Sequence, residues 1–267
     1  MTWSILARDE AGRFGVAIAS RFFAVGALCV HTRRGVGALA TQALANPLYG
    51  PAGLDLLGDG RSAAEAVAAL TAADAGREHR QLHALSAHGT GAAHTGRACV
   101  DACGHLVDDG FSVAGNMLAG PRVIEATAQA YRDAAGQPLA ERLLFAMRAG
   151  EAAGGDKRGK QSAALRIHGD EDRPDLDLRV DDHTDPLAEL ERLLRVSGER
   201  FQPFMACLPG RHDPVGVTDR AEIEARIAAF YAGPHPSPSP RFPLPPAGEG
   251  ASAAGLPLPR TRGRGLG

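Results

Sequence analysis

Two apolar runs, TWSILAR at 2–8 and GVAIASR at 15–21, are joined by the polar stretch DEAGRF, in which Gly12 supplies the positive φ of a tight turn. Together they predict a buried-looking β-hairpin. A third run, GVGALATQA at 35–43, is rich in small residues and predicts a strand packed closely on both faces. A domain built around such strands must cover both faces of its sheet.

The patterns that follow supply the covering. SAAEAVAALTAAD places Ser62 and Glu65 at capping-box spacing with Val67 and Leu70 on one face, predicting a helix from Ser62 after a short one around 52–57. RQLHALSAHGTGAAHTG returns to strand patterning, and DDGFSVAGNML predicts a further strand ending near Asn116. Two helices come next. The first starts at Pro121 and carries Val123, Ile124, Thr127 and Tyr131; the second carries Leu139, Leu143, Leu144 and Met147 and stops at Gly154 and Gly155. QSAALRIHG and DLDLRVDDH predict two more strands, and Asp185 with Pro186 opens another helix. Strands in two groups, each followed by paired helices, predict two central sheets with helices outside.

DPVGVTDRAEIEARIAAFYAG predicts a last amphipathic helix, with Asp219 and Glu222 at capping spacing and Ile223, Ile227 and Phe230 as its stripe. From 233 onward the chain turns Pro, Gly and Ser rich and is expected to be disordered. The expected division is a main domain over 1–198, an extension over 199–232 and a tail over 233–267.

Composition narrows the partners. Lys and Arg number 29 against 31 Asp and Glu, a formal charge of −2, so no basic footprint points to nucleic acid or an anionic membrane. The longest nearly apolar run, FFAVGALCV, is too short to cross a bilayer. With no basic segment and apolar run at its start, and four cysteines over 267 residues, the chain is expected to be cytoplasmic with reduced thiols. A small molecule or short peptide is the expected partner.

The candidate chemistry starts at Thr2. Once Met1 is trimmed, Thr2 carries a hydroxyl and an α-amine together, a nucleophile with its own base. Asn116, at a strand end, reads either as an oxyanion donor or as a turn former. AGGDKRGKQSAA gathers Asp156, Lys157, Arg158, Lys160 and Gln161 after two glycines, either a solvated loop or a contact for substrate. HTGRACVDACGH has C-x3-C spacing without a second cysteine pair, and RVDDHTDP leads into a capped helix; neither predicts a metal site, and no cofactor is expected.

TWSILARDEAGRFGVAIASRFFAVGA, GVGALATQALANPLYGPAGLDLL, VAGNMLAG, AGEAAGGDKRGKQSAALRI and LRVDDHTDPLAELERLL together resemble the domain of unknown function 1028 family, from about Thr2 to Leu194. That family is similar to the N-terminal nucleophile hydrolases. The resemblance implies an α+β fold, a four-layer αββα sandwich with self-association through outer helices, and hydrolysis of an amide C–N bond. It casts Thr2 as nucleophile, Asn116 in the oxyanion site, and Ser20 and Arg21 as groups tuning the amine. Thr41 and Gln42 would stand beside them, with Asp156, Lys157, Arg158 and Gln161 holding a charged end of the substrate. The third strand lacks the lysine of proteasome-like sites, and Arg21 or Arg33 would replace it. The alternative is a non-catalytic binding or assembly protein on the same fold.

Overall fold

The computed structural model describes residues 2–232; the trimming of Met1 and the tail over 233–267 lie outside the described residues. In chain order the elements are β1 (Thr2–Arg8), β2 (Phe14–Ser20), α1 (Val25–Cys29), β3 (Val30–Arg33), β4 (Gly37–Ala43), α2 (Tyr49–Gly58), α3 (Ala63–Ala73), β5 (Arg80–Ser86) and β6 (Ala92–Thr95). There follow β7 (Gly104–Asp108), β8 (Phe111–Asn116), α4 (Arg122–Asp133), α5 (Leu139–Ala152), β9 (Ser162–His168), β10 (Leu176–Val180), α6 (Pro186–Glu199), α7 (Phe201–Met205) and α8 (Arg220–Ala232).

The opening hairpin forms as expected, running from Thr2↔Ser20 to Arg8↔Phe14. Gly12 takes φ 78°, and its N–H donates to the Asp9 carbonyl at 3.0 Å. The hairpin lies at the centre of a six-stranded antiparallel sheet of order β10-β9-β2-β1-β8-β7, and a four-stranded sheet of order β3-β4-β5-β6 forms separately. The molecule is therefore a mixed α+β protein with two antiparallel sheets.

Period-two alternation decides which side chain enters which core. On β1, Trp3, Ile5 and Ala7 pack with Val123, Ala128 and Tyr131 of α4, Leu143 and Met147 of α5, and Leu187 and Leu190 of α6. Leu6 of β1 turns the other way and joins Phe14, Val16 and Ile18 of β2 against Ala38, Ala40 and Leu85 of the second sheet. The far face of that sheet buries Leu39, Leu82 and Ala84 against Tyr49, Leu54 and Leu57 of α2 and Ala66 and Leu70 of α3. Each fully buried Leu or Ile contributes about 1.5–3 kcal/mol. Truncating Ile5 to Ala costs about 2–5 kcal/mol, because both its neighbours along the sheet are fixed strands.

Local signals hold where they act within a few residues. Ser62 and Glu65 form both halves of the capping box, and the Asp185 carboxylate accepts from Ala188 N at the start of α6. The segments lacking a clean period give more than the sequence indicates. FFAVGALCV becomes the short α1 and the first residue of β3, and the stretch before Phe111 adds β7. The last helix docks on the turn between α6 and α7: Arg200 pairs with Glu224 at 2.5 Å, and the Tyr231 hydroxyl donates to the Gly198 carbonyl. Of its expected stripe Ile227 is buried, while Phe230 is exposed.

Candidate active site

Toward one end of the space between the sheets the inward positions become polar. Thr2 and Ser4 of β1 share the side of Leu6, Ser20 of β2 that of Ile18, Ser112 and Asn116 of β8 that of Ala114, and Gln42 of β4 that of Ala40. Gln81 and His83 of β5 share the side of Leu85. All eight are buried, so each polar atom needs a partner inside the protein.

Thr2 stands at the centre, in register with Ser20 on one side and Asn116 on the other. Its Oγ1 lies 3.1 Å from Ser20 Oγ. Its carbonyl accepts from Gln42 Nε2 and from Asn116 Nδ2, each at 3.4 Å. The same two amides donate to Gln81 Oε1, at 2.7 and 3.1 Å. Gln81 is held in turn by donation from Nε2 to Thr95 Oγ1 and to the Gly104 and Gly115 carbonyls. One side chain of the smaller sheet thus fixes two others on Thr2.

Beneath this clamp Ser4 Oγ donates to Gln42 Oε1 and meets His83 Nε2, both at 2.8 Å, while His83 Nδ1 meets Ser112 Oγ at 3.0 Å. Because Ser4 has given its only proton to Gln42, the network assigns the His83 proton to Nε2. Nδ1 then accepts from Ser112. Burial, helped by the nearby His105, pushes the His83 pKa down to about 3, so the ring is neutral at ordinary pH.

Sequence reasoning named Thr2, Ser20, Gln42 and Asn116, which meet here, but not Gln81, His83, Ser4 or Ser112. A signal was present in RQLHALS, where Gln81 and His83 alternate with Leu82 and Ala84. Such alternation also describes a strand with one wet face, and only the second sheet makes it a buried polar row.

The remaining predicted residues sort into three places. Thr41 points to the opposite side of β4 from Gln42, where its hydroxyl accepts from Asn46 N at 3.2 Å and supports the loop before α2. Arg33 pairs with Asp55 of α2 at 2.8 Å, an assignment that replaces its candidate role near the amine. Arg21, Asp156, Lys157, Arg158 and Gln161 lie together past the end of β2. There Asp156 Oδ2 accepts from Arg21 N at 2.7 Å and Arg158 Nη2 at 3.3 Å, and Gln161 N donates to the Ser20 carbonyl. The Asp156 carboxylate is buried and bound on both oxygens, since Oδ1 takes Arg158 N at 2.8 Å.

Three non-glycine residues adopt left-handed backbone: Ala24 at φ 51°, Ala43 at 67° and Met117 at 51°. Ala43 and Met117 directly follow Gln42 and Asn116, and Ala24 follows the turn after Ser20. Backbone strain is thus concentrated where strands leave the polar cluster. Two cavities lie elsewhere among the described residues. One of about 500 Å³ runs between α2 and α3 beside Tyr49 and Asp74, and one of about 270 Å³ lies beside Cys103, His105 and Glu125. Among the described residues no group of His, Cys, Asp or Glu is arranged to hold a metal ion, and no helix is long and apolar enough to cross a membrane. All four cysteines are unpaired.

The class defined by these features is a two-sheet α+β protein whose buried polar residues converge on the end of its first strand. The chain belongs to the family of unknown function DUF1028, whose model matches residues 2–190. It is similar to the crystal structure of protein SPO2555 from Silicibacter pomeroyi, described as belonging to the same family, at 32% identity and a TM-score of 0.75. That match covers 82% of this chain and 99% of the other. Among curated proteins no match is found.

Proposed function

We propose that this protein is an N-terminal nucleophile amidohydrolase, active after loss of Met1, on a four-layer αββα fold of the kind the resemblance implies. The observation that carries the reading is the fixing of Thr2, with its hydroxyl against Ser20 and its carbonyl between Gln42 and Asn116. In the proposed reaction Thr2 Oγ1 attacks an amide carbonyl while the Thr2 α-amine, through a water, accepts the hydroxyl proton. The tetrahedral oxyanion collapses, the C–N bond breaks, and the leaving nitrogen takes that proton. Water then hydrolyses the ester to release the acid and regenerate Thr2.

Ser20 orients the hydroxyl, and Arg21 adds positive charge that favours the free amine. Asn116 stabilises the oxyanion by exchanging its long 3.4 Å bond to the Thr2 carbonyl for a shorter one to the developing charge. The proposed substrate is a small molecule or short peptide, with no metal or cofactor in the scheme, in a cytoplasmic protein that self-associates. A second reading, a binding or assembly protein without catalysis, draws support from a different observation. Both amide hydrogens of Asn116 and of Gln42 are already used within the protein.

Mass spectrometry of the purified protein, before and after a β-lactone probe, separates the two. Adduct formation on Thr2 of a chain lacking Met1, absent in Thr2→Ala, is the expected result. Retained Met1, or a trimmed and folded protein that stays inert, favours the binding reading.

A further inference from the structure

The segment 156–160 crosses the end of β1, from the end of β2 to the end of β8. On the β2 side Asp156 accepts from Arg21 N, and Gln161 N donates to the Ser20 carbonyl. On the β8 side Asp156 forms a bridge with Leu118, and Lys157 Nζ donates to the Asp101 carbonyl at 2.7 Å. Val100 and Ala102, flanking Asp101, accept from Met117 N and Leu118 N, so Lys157 is tied to the backbone directly after Asn116. Arg21 follows Ser20 in the same way. The two cations therefore flank the strand end that carries Thr2.

Charge bookkeeping singles out the same pair. Lys160 is matched by Glu151 at 3.0 Å and Asp185 at 3.5 Å, and Arg158 by the buried Asp156. Among the described residues, Arg21 and Lys157 have no carboxylate within 4 Å; the guanidinium reaches only the Lys160 carbonyl at 3.4 Å. Nearby acids are otherwise engaged: Asp182 accepts from Gln161, Asp181 pairs with Arg179, and the Asp101 carboxylate faces Cys103 Sγ. Both residues are exposed and their side chains meet carbonyls rather than a carboxylate, so an incoming anion can pair with the two of them from solvent.

We infer that Arg21 and Lys157 bind a carboxylate of the substrate, so that the amide cleaved at Thr2 belongs to an acidic small molecule. This rests on the proposed role of Thr2 and specifies its substrate class. Of the amides over 157–161, three, Arg158 N, Gly159 N and Gln161 N, already donate to Asp156 Oδ1, the Asp156 carbonyl and the Ser20 carbonyl. A phosphate, which is typically cradled by several free backbone N–H groups, is therefore served less well than a carboxylate held by two side chains.

The test compares Thr2 acylation by a β-lactone bearing a carboxylate with acylation by its methyl ester. The acid should react about tenfold faster at low salt, and Arg21→Gln or Lys157→Gln should each bring the ratio toward one. Equal rates in the wild-type protein overturn the inference. A thermal-shift titration with succinate and with inorganic phosphate runs alongside. If neither probe acylates Thr2, a succinate-induced rise in Tm that both variants lose keeps the carboxylate site and discards the nucleophile; no rise, or a rise with phosphate alone, discards the carboxylate site. Arg21 and Lys157 are both exposed, so neither Gln variant removes a core contact, and the Lys157→Gln variant serves by itself if Arg21→Gln fails to fold.

Discussion

The Thr2 and Ser20 hydroxyls lie 3.1 Å apart across the first hairpin, at the one end of it that faces the polar cluster. The contact follows from register: a slip of one residue would turn Thr2 toward the Trp3 side of the sheet and place an alanine opposite it. Ser20→Ala removes one hydrogen bond from the reactive hydroxyl and should slow Thr2 acylation about two- to tenfold. Ser20→Thr keeps the hydroxyl and should recover most of the rate. Equal rates for the Ala and Thr variants, at matched stability, would show that Ser20 serves packing alone.

Gln81 makes a different prediction, because it acts through two other side chains. Replacing it with Leu strips the acceptor from Gln42 Nε2 and Asn116 Nδ2 together, inside the protein. Leaving two buried donors unmatched should cost about 2–5 kcal/mol, read by urea denaturation. Hydrogen exchange at Ser4 and Ile5 should accelerate with it if Gln81 holds the first strand. Unchanged exchange at those amides, with only the global stability lowered, would remove Gln81 from the positioning of Thr2.

His83 contributes to the acid limb of stability. Its folded pKa of about 3 lies below the unfolded value of about 6.5, so the unfolded chain binds a proton first as pH falls. The stabilisation from keeping this ring neutral is complete above the unfolded value and is lost progressively from about pH 6.5 down through the folded one. At most one proton is involved, giving a slope of up to about 1.4 kcal/mol per pH unit. His83→Gln, which has no titrating group, should flatten the stability profile between pH 6 and 4 measured by denaturation at each pH. A variant with the wild-type slope would assign the effect to other groups.

How much was legible in the sequence depends on the range of the interaction. The hairpin, the Ser62 capping box and the Asp185 cap are set by neighbours a few residues apart, and the sequence reads them directly. Thr2, Ser20 and Asn116 were legible because strand ends, turns and the family resemblance coincide there. Thr41 illustrates the limit: it adjoins Gln42, yet period two sends the two side chains to opposite faces, and only pairing with β5 tells which face meets Thr2. Gln81 and His83 needed the second sheet as well. The α1 and β3 segments are so short that packing, rather than periodicity, decides them.

Asp74 offers a test of how the smaller sheet is anchored. Its carboxylate accepts from the Tyr49 hydroxyl, Gly76 N, Asn46 Nδ2 and Arg80 Nε, and Arg80 also reaches the Leu44 carbonyl. These bonds tie the ends of β4 and β5, which carry Gln42 and Gln81. Donation from Tyr49, then from Gly76, holds the Asp74 pKa well below the usual carboxylate range. Its contribution is therefore present above the unfolded value of about 3.9 and is lost as pH falls below it toward the folded one. Asp74→Asn should lower Tm at neutral pH and lose less of it than the wild type on acidification from pH 4 to 2. Parallel Tm curves would show that Asp74 does not titrate between the two states.

The helical layer is tested at Gly150 of α5. A Cβ built there would lie 2.2 Å from Thr127 Oγ1 and 2.9 Å from Trp3 Nε1, and Thr127 is committed to the Val123 carbonyl at 2.7 Å. Neither neighbour can withdraw easily, so Gly150→Ala should destabilise by about 1–3 kcal/mol through overpacking, despite the higher helix propensity of alanine. Trp3 is the chain's single tryptophan and the neighbour of Thr2, so its emission reports the strain directly. A shift in native-state emission together with slower Thr2 acylation is the expected pair of results. Lower stability with native emission and acylation unchanged would show that the strain is absorbed within α4 and α5 and does not reach the first strand.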